Sequence, residues 1–207
     1  MRIITGSARG ARLKTPKGMT TRPTADRVKG SLFNIIGRMF AGGDVDVLDV
    51  FAGTGNLGLE ALSRGARSAT FVDKATQRII ADNAEHTHLS DRARIYGGDV
   101  FAVMARLLAG SARFGLVFAD PPYHVGLWQR TLKYLDGAGA GLLADGALIV
   151  IEHGVAENEL PELMTLERVR NEKYGRTTQL SFFRRRQDGA PSDDKDDKID
   201  ETMGEKV

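Results

Sequence analysis

The middle of the chain alternates short apolar strand-like runs with helix-like segments. Strands joined through helices pair in parallel, because each crossover returns the chain to the same edge of the sheet. The alternation therefore predicts an α/β fold built on a parallel sheet. The predicted strands are 45–50, 69–73, 93–96, 116–119 and 147–152, and the predicted helices between them are 57–64, 75–86, 100–108 and 127–135.

The alternation of strands and helices ends after the fifth strand. Residues 166–174 and 178–184 are both strand-like, and Gly175 and Arg176 separate them, which indicates a hairpin. A hairpin at the end of a parallel sheet introduces one antiparallel strand. We therefore predict a seven-stranded, mostly parallel sheet with one antiparallel strand.

The segments before and after this core do not continue the alternation of strands and helices. Residues 24–40 carry apolar side chains at helical spacing, which predicts an amphipathic helix packed on the core. Residues 2–15 are predicted to fold back as a hairpin around Gly6–Gly10. The predicted organisation is a basic hairpin and helix over 1–40, a main domain over 41–186 and an acidic disordered tail over 187–207.

Charge is distributed unevenly along the chain. The net charge is only +2, but residues 1–38 carry nine lysines and arginines against one acid, while residues 188–207 carry eight acids and three lysines. A basic segment with so few acids favours a phosphate-binding surface over an ordinary solvated face, and nucleic acid is its usual partner. The candidate residues for this nucleic-acid contact are Arg2, Arg12, Lys14, Arg22, Arg27, Tyr174 and Arg176.

Composition excludes several other classes of protein. The chain has no cysteine, which fits a reducing compartment and removes the thiol nucleophile that methylation of pyrimidine carbons usually needs. No run approaches the length of a membrane span, and the amino terminus lacks the apolar region of a signal peptide. The four histidines are not spaced as metal ligands. We therefore expect a cytoplasmic monomer without a metal site.

The sequence Asp120-Pro121-Pro122-Tyr123 closes the fourth predicted strand. It suits the methylation of an exocyclic base amine, whose nitrogen must become tetrahedral before it can attack an electrophilic methyl group. The Asp120 carboxylate and the Pro121 carbonyl can each accept one amine hydrogen, and Tyr123 can stack on the base. The same residues also suit an ordinary strand-terminating turn.

A glycine-rich turn follows the first predicted strand, in the sequence Asp49-Val50-Phe51-Ala52-Gly53-Thr54-Gly55. The spacing to Gly58 matches the dinucleotide fingerprint, and Asp73 lies where an acid would bind ribose, so an NAD-dependent oxidoreductase is the main rival. Asp49 and Asp99 add further acids, which repel a pyrophosphate but suit the ammonium and sulfonium of S-adenosylmethionine. Asp73 and Asp99 could instead cap the helices that follow them.

Several motifs of the chain resemble, in order, the bacterial RsmD family of 16S ribosomal RNA guanine-N2 methyltransferases. The resemblance covers about residues 1–186, with Thr54 and Asn56 standing where Ser and Ala are expected. It implies a substrate, 16S rRNA or the assembling small ribosomal subunit, that the residues alone do not specify. The motifs that carry it are Arg22–Lys29, Asp49–Leu62, Phe71–Asp73, Asp120–Tyr123 and Lys173–Gly175.

We therefore interpret the chain as a class I methyltransferase with a Rossmann-like sheet that uses S-adenosylmethionine. Asp120, Pro121, Pro122 and Tyr123 are the predicted catalytic residues. The predicted cofactor-binding residues are Asp49, Phe51, Gly53, Gly55, Asp73 and Asp99. A DNA adenine or cytosine aminomethyltransferase, an NAD-dependent oxidoreductase and a non-catalytic RNA-binding protein remain as alternatives.

Overall fold

The computed structural model describes residues 1–16 and 23–186. Its helices are α1 (Pro23–Ile36), α2 (Asn56–Ser63), α3 (Gln77–His86), α4 (Val100–Ala109) and α5 (Leu127–Asp136). Its strands are β1 (Asp46–Val50), β2 (Ser68–Asp73), β3 (Ala93–Gly97), β4 (Phe114–Ala119), β5 (Leu143–Gly154), β6 (Leu166–Tyr174) and β7 (Thr178–Arg185). Arg22 and the acidic tail, both named in the sequence predictions, lie outside the described residues.

All seven strands form one sheet in the order β3-β2-β1-β4-β5-β7-β6. The first five strands in this order, β3-β2-β1-β4-β5, pair in parallel with their neighbours. Strand β7 is antiparallel to both β5 and β6. The predicted mostly parallel sheet with one antiparallel strand is therefore confirmed. The usual dinucleotide-binding sheet continues from strand five to a sixth parallel strand, so the insertion of β7 argues against the NAD-dependent alternative.

Each face of the sheet packs against its own layer of helices, because strands buried on both sides alternate their apolar side chains between two cores. On one face Val47, Phe118 and Phe182 pack with apolar side chains of α1, α2 and α3. On the other face Val50 and Ile149 pack with apolar side chains of α4 and α5. This arrangement fixes the carboxyl ends of β1 to β5 along one edge.

The bounds of two helices differ from the predictions. The helix predicted over 24–40 ends as an α-helix at Ile36 and continues as a 3₁₀ turn from Gly37 to Phe40. The helix predicted from residue 75 begins at Gln77, because the Asp73 carboxylate accepts hydrogen bonds from the main-chain amides of Ala75 and Thr76.

The amino-terminal hairpin is present but has only a single antiparallel bridge, between Arg2 and Arg12. Longer strands do not form, because the amides of Ile4 and Thr5 donate to the Glu60 side chain of α2 instead of to a partner strand. The tip of the hairpin rests on the last residue of α2, where a Cβ on Gly6 would overlap the Ser63 carbonyl. The open end of the hairpin therefore lies toward the carboxyl edge of the sheet, and its tip lies toward the opposite edge.

Candidate active site

The predicted catalytic and cofactor-binding residues lie together at the carboxyl edge of the sheet. The strand order reverses between β1 and β4, and ligands of α/β proteins bind at such a switch point. Asp49 is near the end of β1, Asp73 ends β2 and Asp120 follows β4. Asp99 lies farther along the same edge, directly before α4.

The turn between β1 and α2 brings main-chain groups to this edge in an unusual conformation. Gly53 and Gly55 have positive φ values of 57° and 77°, and so does Phe51, at 61°. A bulky residue in the left-handed region costs roughly 1–3 kcal/mol and persists only where its surroundings enforce it. The cost is concentrated in the turn predicted to hold a cofactor.

Asp49 reaches across this turn and caps α2. The residue before α2 is Gly55, which has no side chain for capping, and the Asp49 carboxylate accepts a 2.9 Å hydrogen bond from the Gly58 amide instead. Gly58 must be glycine, because a Cβ there would overlap the Phe71 ring and crowd the Asp49 carboxylate. Burial, followed by the neighbouring charge of Asp73, raises the pKa of Asp49 to about 7 despite the Gly58 hydrogen bond.

Asp73 and Asp99 are both engaged with local main chain. Asp73 accepts hydrogen bonds from the amides of Ala75, Thr76 and Gly53. Burial alone would raise the pKa of Asp73, but these hydrogen bonds to the ionised form lower it. Asp99 caps α4, whereas the Ala75 and Thr76 amides bound by Asp73 precede α3, so the capping role that the sequence left open is present for Asp99 and not for Asp73. Asp73 also fixes the glycine-rich turn after β1, because its carboxylate accepts the hydrogen bond from the Gly53 amide.

The residues Asp120 to Tyr123 follow β4 at the carboxyl edge of the sheet. Asp120 and Pro122 are exposed, and Pro121 is buried. The half-buried Tyr123 donates a 2.7 Å hydrogen bond from its phenol to the Glu152 carboxylate, and Thr178 Oγ1 lies 3.3 Å from the same phenol oxygen.

Asp120 and Glu152 are neighbours across the sheet. Ala119 pairs with Ile151, so these two acids directly follow paired residues of β4 and β5. The protein packed around the strand end, followed by the charges of Glu152 and Asp49, raises the pKa of Asp120 well above its usual range. Because the Asp120 residue is exposed, solvent weakens this effect. Burial likewise raises the pKa of Glu152.

Sequence reasoning missed three residues that support the site, namely Glu152, Glu157 and Thr178. Glu152 had a detectable signal, because it follows the apolar run Leu148–Ile151 just as Asp120 follows the run in β4. Thr178 and Glu157 had none, because they reach the site only through the antiparallel pairing of β7 and the turn after β5.

The predicted RNA-binding residues are distributed around the same edge. Arg2 and Arg12 are exposed neighbours at the open end of the hairpin, and Arg27 is exposed near the start of α1. Arg176 is exposed in the turn between β6 and β7, whereas the Tyr174 hydroxyl hydrogen-bonds Ser31 at 2.7 Å.

The basic segment also contains charges that its sequence did not show to be paired. Lys14 pairs with Asp82 of α3 at 3.0 Å, and Arg2 lies 3.8 Å from Asp26. Lys29 is buried and pairs with Glu60 at 3.1 Å, so it does not belong to a phosphate-binding surface. Three basic residues of this segment are therefore paired with acids, and two of those acids lie in α2 and α3.

Within residues 1–16 and 23–186, no three or more histidine, aspartate and glutamate side chains are grouped closely enough to hold a metal ion. The helices there are also too short or too polar to cross a bilayer.

Comparisons with known proteins agree along most of the chain. The family model described as Conserved hypothetical protein 95 matches residues 1–184. Ribosomal RNA small subunit methyltransferase D of Escherichia coli strain K12 is 36% identical over 191 residues, covering 91% of this chain and 92% of that protein.

Two solved structures share the fold at similar identity. The protein yhhF of Escherichia coli is 34% identical with a TM-score of 0.74, covering 90% of this chain and 99% of that one. A hypothetical protein of Thermus thermophilus is 30% identical with a TM-score of 0.71, covering 88% of this chain and 98% of that one. Similarity therefore extends over both the hairpin and the sheet.

Proposed function

The chain belongs to the RsmD family and has a class I methyltransferase fold, and from this premise we propose that it transfers a methyl group from S-adenosylmethionine to the N2 amine of a guanine in 16S rRNA. The substrate is either free RNA or the assembling small ribosomal subunit, in the bacterial cytoplasm. The observation that carries the proposal is the placement of Asp120-Pro121-Pro122-Tyr123 beside an acid-lined turn at the switch point of the sheet.

The residues of the turn fit this cofactor. Asp49 and Asp73 bring negative charge to the turn, and the raised pKa of Asp49 reflects a site that would be stabilised by a nearby positive charge. We assign Asp49, Phe51, Gly53 and Gly55 to the methionine moiety. Asp73 is assigned to the ribose and Asp99 to the adenine side. When bound, S-adenosylmethionine supplies an electrophilic methyl group on a sulfonium.

Asp120 and Pro121 act on the guanine amine in this proposal. The carboxylate accepts one N2 hydrogen and the Pro121 carbonyl accepts the other, which favours the tetrahedral nitrogen needed for attack. The prolines hold φ near −65° and so keep both acceptors in place. After transfer the amine becomes acidic, and Asp120 collects the proton. Its raised pKa makes its ionised form a stronger base than an ordinary aspartate.

The ionisation of Asp49 should control cofactor affinity. The pKa of Asp49 is about 7. At a pH below this value the carboxyl is mostly protonated and loses its attraction for a cationic ligand, whereas at a higher pH it is mostly ionised. If only the ionised form binds well, lowering the pH from 8 to 6 should weaken the affinity for S-adenosylmethionine about tenfold. Isothermal titration calorimetry at both pH values measures this change.

Asp49→Asn is the matched variant for that measurement. It keeps an oxygen that can accept from the Gly58 amide, so the fold should be retained. It should bind S-adenosylmethionine weakly and with little pH dependence. An unchanged pH dependence in this variant would remove Asp49 from the cofactor site.

The basic residues at the carboxyl edge should supply phosphate contacts. Replacing Arg2, Arg12 and Arg27 together with glutamine should weaken RNA binding and reduce the slope of log K against log salt by about 2, since each lost contact removes roughly 0.7–0.9. The control replaces three other exposed arginines with glutamine. Arg9 lies at the hairpin tip, Arg38 lies after α1, and Arg113 lies directly before β4. Equal losses in the two triple variants would show that overall charge, and not this surface, binds RNA.

The proposed function is tested by labelled methyl transfer to unmethylated 16S rRNA, both free and in small-subunit particles, followed by nucleoside analysis. Label in N2-methylguanosine supports the proposal. Label on a different base amine would retain the mechanism and reject the guanine assignment. Absence of label on any RNA, despite cofactor binding, would reject the proposal.

A further inference from the structure

The segment from Asp120 to Gly126, here called the substrate loop, is anchored to β5 and its following turn. The Glu157 carboxylate accepts hydrogen bonds from the His124 amide at 2.9 Å and from the Gly154 amide at 3.2 Å, so it bridges the loop to the end of β5. His124 is held at a positive φ of 64°, a conformation that needs such support in a non-glycine residue. The main chain directly after Tyr123 is therefore fixed.

With the main chain fixed, the orientation of the Tyr123 ring depends on its side-chain contacts. The phenol reaches Glu152, which lies in β5, and Thr178, which begins β7. These strands pair directly, with Gly154 opposite Thr178 and Glu152 opposite Leu180. Both polar partners of the phenol thus belong to a rigid part of the sheet.

The Glu152 interaction is the stronger of the two. Its 2.7 Å distance and carboxylate acceptor are typical of a charge-assisted hydrogen bond, whereas the oxygen of Thr178 lies 3.3 Å away. Asp120 and Glu152 directly follow the paired residues Ala119 and Ile151. Asp120 therefore lies beside the carboxylate that accepts the hydrogen bond from the Tyr123 phenol. The ring and the catalytic carboxylate are therefore positioned by adjacent strands.

We propose that Glu152 is a positioning residue for base methylation, which acts by orienting the Tyr123 ring against which the target base stacks. This inference rests on the proposed function, since it needs a flipped base in the cleft. In this role Glu152 acts through Tyr123 and not through a contact of its own with the cofactor or the base. Its contribution is to restrict the ring to one orientation before the substrate arrives, which reduces the ordering cost of binding in a reactive geometry.

The test compares Glu152→Ala with Glu152→Gln, in the otherwise unchanged protein and in the Tyr123→Phe background. Both substitutions remove the same charge beside Asp120, but only glutamine keeps an oxygen that can accept from the phenol. Glu152→Ala should lower kcat/KM for RNA about tenfold further than Glu152→Gln, with little change in cofactor affinity. In the Tyr123→Phe background the two Glu152 variants should be equal, because there is no phenol to accept from.

Two outcomes of this kinetic comparison would overturn the proposal. One is an equal loss for Glu152→Ala and Glu152→Gln in the protein with Tyr123, which would assign the effect to charge. The other is a difference between them that persists in the Tyr123→Phe background. Glu159→Ala serves as a control, because Glu159 is an exposed acid in the segment after β5.

A readout that does not need activity separates this proposal from the proposed function. In protein labelled with ¹³C-tyrosine, Glu152→Ala should shift and broaden the Tyr123 ring resonances, and Glu152→Gln should largely restore them. Unchanged Tyr123 resonances in Glu152→Ala would reject the positioning role. If the resonances change as expected while no RNA is methylated, Glu152 still orients the ring and only the assigned reaction fails.

Discussion

Replacing Asp120 with alanine is expected to lower methyl transfer to RNA by about 10³-fold while S-adenosylmethionine still binds with a Kd within a few-fold of the original. Removing one preorganised polar group that acts on the reacting atoms typically costs 10²–10³-fold, and Asp120 is assigned both an acceptor role and the proton-collecting role. The measurement is single-turnover transfer of labelled methyl with saturating cofactor, together with calorimetric titration of the cofactor.

Loss of fold should not contribute to this effect. The surroundings of Asp120 raise its pKa, which means that they disfavour its charged form, so removing the carboxylate should leave the melting temperature unchanged or raise it at neutral pH. Asp145→Ala is a matched control, because Asp145 is an exposed acid of β5 at the opposite end of the strand from Glu152. Near-normal turnover of Asp120→Ala would exclude the proposed catalytic role.

Replacing Glu60 with alanine should destabilise the protein by about 3–5 kcal/mol, the usual cost of breaking a buried ion pair by removing one partner. Glu60 is fully buried in α2 and accepts hydrogen bonds from Ile4, Thr5 and Arg64 in addition to its pair with Lys29. The variant leaves the Lys29 charge buried and two amides of the hairpin without their acceptor. For a domain of this size the melting temperature should fall on the order of 10 °C.

Lys29→Met should be less harmful than Glu60→Ala. In that variant the Glu60 carboxylate keeps the Ile4 and Thr5 amides and the Arg64 guanidinium, so its charge remains compensated. Burial lowers the pKa of Lys29 even though Glu60 opposes that shift, which indicates that the lysine is itself costly to bury. Thermal unfolding of both variants measures the difference.

Amide hydrogen exchange identifies which part of the protein is destabilised in each variant. The Ile4 and Thr5 amides should exchange much faster in Glu60→Ala than in Lys29→Met, because only the first variant removes their acceptor. Glu85→Ala, an exposed acid on α3, should change stability by no more than about 0.5 kcal/mol. A larger loss for Lys29→Met than for Glu60→Ala would contradict this account of how the hairpin is held.

The helices and strands of this chain were largely predictable, because their signals are local. The β6–β7 hairpin followed from two strand-like runs around Gly175, and β6 has the predicted bounds. Errors arose where a side chain from another element replaced a local main-chain bond. The hairpin has one bridge because Glu60 takes the amides of Ile4 and Thr5, and no pattern within residues 2–15 contains that information.

Local signals in the sequence were enough to predict the α/β class, the mostly parallel sheet and the placement of Asp49, Asp73 and Asp120 at strand ends. Periodicity and strand-terminating residues are properties of short segments. The tertiary structure was needed to show that Glu60 holds the amides of the hairpin, that Lys29 is buried, and that Glu152 supports Tyr123. Those contacts join residues far apart in the chain. They depend on strand order and register, which are set by packing of the whole core and leave no periodic signal in the sequence.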